Sequence, residues 1–183
     1  MDNNFFKKTS LKGLLILERP TFEDGRGFFR EVFHIDELEK LIGGKFNLAQ
    51  WNHSCSKKGV IRGLHAENWN KIVYRVTGKM FTAVVDIRIE SQTFGKVETF
   101  ILDDTNRIAL FIPKGFANSV CTMGDEDVNY LYLVDAYYDG TDTKAVAFDD
   151  PDLSIDWPVK NPIVSQRDKN NPRLRELFPE KFK

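Results

Sequence analysis

Cysteine and histidine are scarce in this chain. Two cysteines, Cys55 and Cys121, stand in 183 residues. They are too few and too far apart for a disulfide scaffold or a cysteine zinc site, so two reduced thiols are expected. The three histidines, His34, His53 and His65, include no His-x-His pair, and that spacing argues against a histidine-rich metal site. Charge of one sign is missing as well: 26 basic and 27 acidic residues leave a formal net charge of −1. No overall basic field exists for nucleic acid or an anionic membrane, and any anion site has to be local. Long apolar runs are absent, and the opening MDNNFFKKTSLKG lacks the apolar stretch of a signal peptide, so a soluble, cytoplasmic protein is expected. Neither a Gly-x-Ser-x-Gly elbow nor a glycine-rich phosphate loop is present, which removes two common enzyme classes.

What the chain does have is phenylalanine, 15 of 183 residues, within a 42% hydrophobic composition. That is enough for one well-packed domain over 1–183, and the aromatic weight leans towards β structure. Strands are expected at Leu14–Leu17, Phe28–Phe33, Phe46–His53, Lys79–Ile89, Lys96–Leu102, Ile108–Ile112, Phe116–Thr122 and Asn129–Ala136. In the 79–89 segment Phe81, Ala83, Val85 and Ile87 fall on one side. One good helix is expected at 36–42, capped by Asp36 and ended by Gly43-Gly44. After Tyr138 the chain becomes turn-rich, with at most short helices. Many short strands and one helix point to an all-β sandwich or barrel, and cupin-type jelly rolls are barrels of this size that enclose a ligand cavity.

Chemistry concentrates between Gly59 and Gly78, GVIRGLHAENWNKIVYRVTG. Arg62, His65 and Lys71 stand close together there, with Lys71 at the entrance of a strand that includes Ile72, Val73, Tyr74 and Val76. A base, an anion-binding arginine and an ammonium suit a negatively charged substrate that loses a carbon-bound proton. On spacing alone His65 ranks no higher than the structural readings of His34 and His53, and only the flanking Arg62 and Lys71 single it out. Gln50 and Asn52, two apart on a strand, share a face, as do Tyr130 and Tyr132. A tyrosine in a polar cavity donates a proton, or simply fills a barrel.

Taken together the motifs resemble the dTDP-4-dehydrorhamnose 3,5-epimerase family of cupin-type barrels. Phe22-Glu23-Asp24-Gly25-Arg26-Gly27-Phe28-Phe29-Arg30-Glu31 is similar to F-x-D-x-R-G-x-F-x-E, and Gln50-Trp51-Asn52-His53-Ser54 to Q-x-N-x-S. Gly59-Val60-Ile61-Arg62-Gly63-Leu64-His65 matches G-V-x-R-G-L-H, and Val85 to Lys96 resembles V-D-I-R-x-x-S-x-T-F-G-K. Ile112 to Ala117 and Asp149 to Pro158 follow in family order.

The resemblance implies a cupin jelly roll and an isomerase that inverts C3, C5 or both of a nucleotide-linked 4-keto-6-deoxyhexose, in deoxysugar biosynthesis for surface polysaccharide such as O-antigen. It implies His65 as the base, Asp168 as the group that holds its tautomer, Tyr132 as the acid on the opposite ring face, and Lys71 as the stabiliser of the enolate oxygen. Gln50, Asn52 and Arg62 would bind the diphosphate and nearby groups, and Tyr138 would flank the substrate. Arg26, Phe29 and Glu31 would be lent by the partner in a homodimer. Neither a metal nor an organic cofactor is required. Three positions depart from the family. Asn118 stands where a histidine is usual, and its amide donates but carries no charge. The loop Ala66-Glu67-Asn68-Trp69-Asn70 is short, and Thr143 replaces a glutamate. These departures leave open a C3-only epimerase, a 3,4-ketoisomerase or a non-catalytic sugar-nucleotide-binding cupin.

Overall fold

The computed structural model describes residues 5–140 and 143–182. Two six-strand layers dominate. The first sheet runs in the order β1 (Phe6–Lys8), β2 (Leu15–Leu17), β10 (Ala109–Ile112), β7 (Lys71–Thr77), β12 (Val128–Val134) and β5 (Gln50–Ser56). The second runs β13 (Thr143–Ala145), β6 (Val60–Glu67), β11 (Phe116–Met123), β8 (Lys79–Asp86) and β9 (Val97–Leu102), with β14 (Ile163–Val164) parallel to β6. A separate hairpin pairs β3 (Phe22–Asp24) with β4 (Gly27–Phe29). Among the described residues there are also three short α-helices, α1 (Ile35–Ile42), α2 (Gln166–Lys169) and α3 (Leu174–Leu177), and a 3-10 turn at Pro179–Lys181. This is the all-β, cupin-type jelly roll that the sequence predicts.

Side chains of both sheets meet in the middle. Val73, Leu110, Ile112 and Tyr130 from the first pack with Met80, Val84, Phe116 and Val120 from the second. The outer faces are covered too. Leu38 of α1 and Phe46 lie on the first sheet against Leu17, Ile72 and Phe111. Leu153, Val164, Leu174 and Phe178 of the C-terminal segment lie on the second, against Ile61, Phe81, Val85 and Cys121. Phe81, Ala83, Val85 and Ile87 do share a side, as the alternation predicts, but Met80 and Val84 on the other side are equally buried. A sheet covered on both faces reads as a continuous apolar run, and β10 is buried throughout. Each aliphatic side chain buried in this way contributes about 1.5–3 kcal/mol.

Several boundaries differ from expectation. The strand expected over 28–33 ends at Phe29. The one expected from Phe46 begins at Gln50, because Phe46 turns inward to meet Phe111 edge-on at 6.3 Å. Helix α1 starts one residue early, with His34 rather than Asp36 at its N-cap and no side-chain cap bond. Asp36 instead sits in the first turn, where its charge complements the helix dipole. Gly43 ends the helix in the left-handed conformation, as predicted.

Asp86, at the end of β8, is fully buried and accepts hydrogen bonds from Arg88, Ser91 and Thr93. Burial opposes its ionisation, but those bonds outweigh it and hold the carboxyl at about 2, below the ordinary 3.8. A depressed folded-state value means stability that is present above the unfolded value and lost as pH falls through the folded one. Unfolding by urea should therefore show about 2 kcal/mol lost to this group between pH 4 and pH 2. Asp86→Asn should flatten that part of the profile.

Candidate active site

Between the two sheets lies a cavity of about 390 Å³. Gln50, Lys71, Tyr130 and Tyr132 reach it from the first sheet, and Arg62, His65, Glu67 and Asn118 from the second. Strands β6 and β7 are consecutive, but the turn at 68–70 carries the chain from one sheet to the other. His65 and Lys71 therefore approach the cavity from opposite layers. Asn70 pins that turn: its backbone N–H and side-chain amide donate to Asp135 at 2.8 and 2.6 Å, and its Oδ1 accepts from the Lys114 N–H at 3.1 Å.

In a regular strand Arg62 and His65, three apart, would face opposite ways. Here β6 is bulged against β11. Val120 pairs with Arg62 and Asn118 with His65, so three steps along β6 oppose two along β11. Both side chains consequently line the same cavity. Gly63 sits inside the bulge at φ 118°, where an added Cβ would lie 2.7 Å from the Asn118 carbonyl oxygen. Only glycine fits that approach.

His65 Nε2 lies 2.7 Å from Asp168 Oδ1. The carboxylate comes from 103 residues downstream. Strand β14 pairs with β6 through Ile163↔Val60 and Val164↔Ile61. Ser165 then caps α2, accepting the Asp168 N–H at 3.1 Å. Asp168 Oδ2 accepts the Gly63 N–H at 3.2 Å, and the side chain is 4% exposed. Burial works against the charged carboxylate, but the bonds to His65, Gly63 and Ser165 outweigh it and keep its pKa below the ordinary range. With an ionised acceptor on Nε2, the imidazole carries its proton there and leaves Nδ1 as the basic nitrogen.

Lys71 Nζ donates to Glu67 at 2.9 Å and to Asn118 Oδ1 at 3.0 Å, and lies 5.5 Å from the centre of the Tyr132 ring. Tyr132 stacks on Tyr130, ring centres 6.1 Å apart. Burial, then Tyr130 and the Glu67 charge, raise the Tyr132 pKa, with Arg62 opposing, so the phenol holds its proton at neutral pH. Arg62 is fixed by Ser56 Oγ at 2.8 Å and the Cys55 carbonyl at 3.1 Å.

Other predicted residues fall into place to differing degrees. Gln50 lines the cavity and donates to Asn52 Oδ1 at 2.6 Å, while Asn52 stands behind it. Tyr138 lines the rim beside Trp69, ring centres 6.3 Å apart. Arg26, Phe29 and Glu31 do not line the cavity. Arg26 pairs with Asp24 on the exposed hairpin, Phe29 is 65% exposed, and Glu31 pairs with Arg19. The side chain of Thr143 lies outside the described residues. Sequence reasoning missed Glu67, Trp69 and Arg167 as lining residues. The same-face relation of Glu67 to His65, two apart on β6, was the available signal for the first.

Comparison with known proteins places the chain in a family. Residues 8–176 match the family model described as dTDP-4-dehydrorhamnose 3,5-epimerase. The chain is 38% identical over 171 residues to the dTDP-4-dehydrorhamnose 3,5-epimerase of Shigella flexneri, covering 91% of this chain and 94% of that one. It is also 38% identical over 157 residues to the dTDP-4-dehydrorhamnose 3-epimerase of Streptomyces niveus, covering 84% and 75%. The crystal structure of dTDP-6-deoxy-D-glucose-3,5-epimerase from Legionella pneumophila, in complex with dTDP-4-keto-L-rhamnose, superposes with a TM-score of 0.88 at 34% identity, covering 96% and 95%. The chain belongs to the dTDP-4-dehydrorhamnose 3,5-epimerase family.

Proposed function

We propose that this protein inverts C3 and C5 of a dTDP-linked 4-keto-6-deoxyhexose through an enolate. The carrying observation is that His65 on one sheet, bonded to Asp168 of α2, shares one cavity with Tyr132 and Lys71 of the other sheet. A C–H next to a ketone becomes acidic when fixed donors meet the developing oxygen charge, and the Lys71 ammonium is such a donor. His65 takes the proton on one ring face, and Tyr132 returns one on the other. Arg62 and Gln50 meet the diphosphate end. The reaction proceeds in the cytoplasm, as a step of deoxysugar biosynthesis.

The proposal includes a homodimer. Phe22, Phe28 and Phe29 of the β3–β4 hairpin are 63%, 52% and 65% exposed, an apolar surface of the kind that partners cover. In this reading the hairpin carries Arg26, Phe29 and Glu31 to the partner's cavity.

Incubation in D2O with a dTDP-4-keto-6-deoxyhexose tests the activity. Deuterium entering at C3 and C5 supports double epimerisation, and its absence from both sinks the enzymatic reading. Entry at C3 alone favours the second reading, a C3 epimerase, which the identity to the Streptomyces niveus 3-epimerase and the Asn118 departure support. Tyr132→Phe separates the two proton transfers. His65 can still remove a proton and return deuterium to the same face, so wash-in continues. Formation of inverted product should fall about 10²-fold or more, and inversion at the wild-type rate would assign the acid elsewhere.

A further inference from the structure

Glu67 has no part in the chemistry above, yet its carboxylate stands in the cavity with its side chain only 15% exposed. Burial disfavours that charge, but Lys71 compensates, and the carboxyl stays ionised below its ordinary range. Lys71 has three N–H donors. Glu67 takes one at 2.9 Å and Asn118 another at 3.0 Å, and the tetrahedral ammonium turns the third away from both. Glu67 in turn has acceptor capacity well beyond the single bond it makes to Lys71.

A buried carboxylate repels a diphosphate, so Glu67 belongs to the sugar end of the cavity. There the separation between Lys71 Nζ and Glu67 Oε2 is informative. Two oxygens on neighbouring ring carbons also lie about one hydrogen-bond length apart. A donor and an acceptor at 2.9 Å therefore match a vicinal pair, with the ammonium on the keto oxygen and the carboxylate on the hydroxyl beside it. We propose that Glu67 is a specificity-determining residue that accepts a hydrogen bond from the C3 hydroxyl, next to the keto carbon of the sugar. This rests on Lys71 meeting the C4 oxygen, as in the function proposed above. Glu67 is the last residue of β6, and a neutral side chain there would leave the charge of Lys71 without its carboxylate partner.

The test uses unreactive ligands, so that binding is read apart from turnover. Calorimetric titration compares dTDP-6-deoxyglucose with its 3-deoxy counterpart, and dTDP alone reports that the nucleotide end is intact. The wild type should bind the 3-hydroxy ligand about ten- to a hundredfold more tightly than the 3-deoxy one. In Glu67→Ala that ratio should shrink to within about threefold, while dTDP binding is unchanged. Glu67→Gln, which keeps the shape and loses the charge, should fall between. A wild type without the preference, or an alanine variant that keeps it, overturns the assignment. Preference in binding without deuterium exchange in the wild type would leave the role of Glu67 standing and remove the epimerase reading. Failure to bind either ligand would remove both.

Discussion

His65→Ala is expected to lower deuterium entry next to the ketone by about 10²–10⁴-fold, the range that a positioned general base contributes. The side chain is partly exposed, at 23%. The fold should therefore survive, with the loss confined to catalysis. The substitution does leave Asp168 with the Gly63 N–H as its remaining tertiary partner. Its pKa should then rise, since the largest favourable contribution to its charge, the bond with His65, is gone. Asp168→Asn tests the same pair from the other side. The amide keeps the shape but cannot balance an imidazolium, so proton removal should slow by a comparable factor while dTDP binding persists. Circular dichroism would establish that both variants are folded. Exchange within about tenfold of wild type in His65→Ala would mean that another group is the base, and Glu67 is a carboxylate that lines the cavity.

Gly63→Ala is expected to cost about 2–5 kcal/mol of stability, combining backbone strain with overpacking. At φ 118° an alanine is strained whatever the space, and its Cβ would meet the Asn118 carbonyl oxygen at 2.7 Å and Ser119 Cα at 3.0 Å. Both obstacles are backbone, so neither moves by a rotamer change. Relief requires β6 and β11 to separate at the bulge. That separation shifts Asn118 from Lys71, now at 3.0 Å, and removes the reason for Arg62 and His65 to face the same way. Urea unfolding should show the midpoint falling, and residual folded protein should have impaired exchange. Wild-type stability in this variant would mean that the bulge is far more compliant than its contacts imply.

The long strands were readable because their apolar content is periodic or continuous: β7, β8, β10, β11 and β12 all lie within or close to the segments expected. Of the short ones, β2 falls within the expected Leu14–Leu17 run and β4 meets the start of the expected 28–33 strand, but others left no signal. Strands β1, β13 and β14 have two or three residues each, too few for any period to register. They form because a distant strand offers them an edge. The 68–70 turn and its Asn70 likewise have no signature as a crossing between sheets, since the bonds that hold them go to Asp135 and Lys114.

The sequence by itself determined the chemical inventory and its local placement. It supplied a histidine two residues after a glycine that tolerates a bulge, a serine that caps a short helix with Asp168 in its first turn, and two tyrosines on one strand face. Each follows from torsional preference or from a period of two, which act over a few residues. Tertiary structure decided which groups meet. Pairing of β14 with β6 carried Asp168 to His65 across 103 residues. The bulge against β11 turned Arg62 and His65 to one cavity. Packing of one sheet on the other set Tyr132 and Lys71 opposite them and brought Glu67 to Lys71. Periodicity reports which way a side chain leaves its own strand, and only long-range pairing and burial determine what lies across from it.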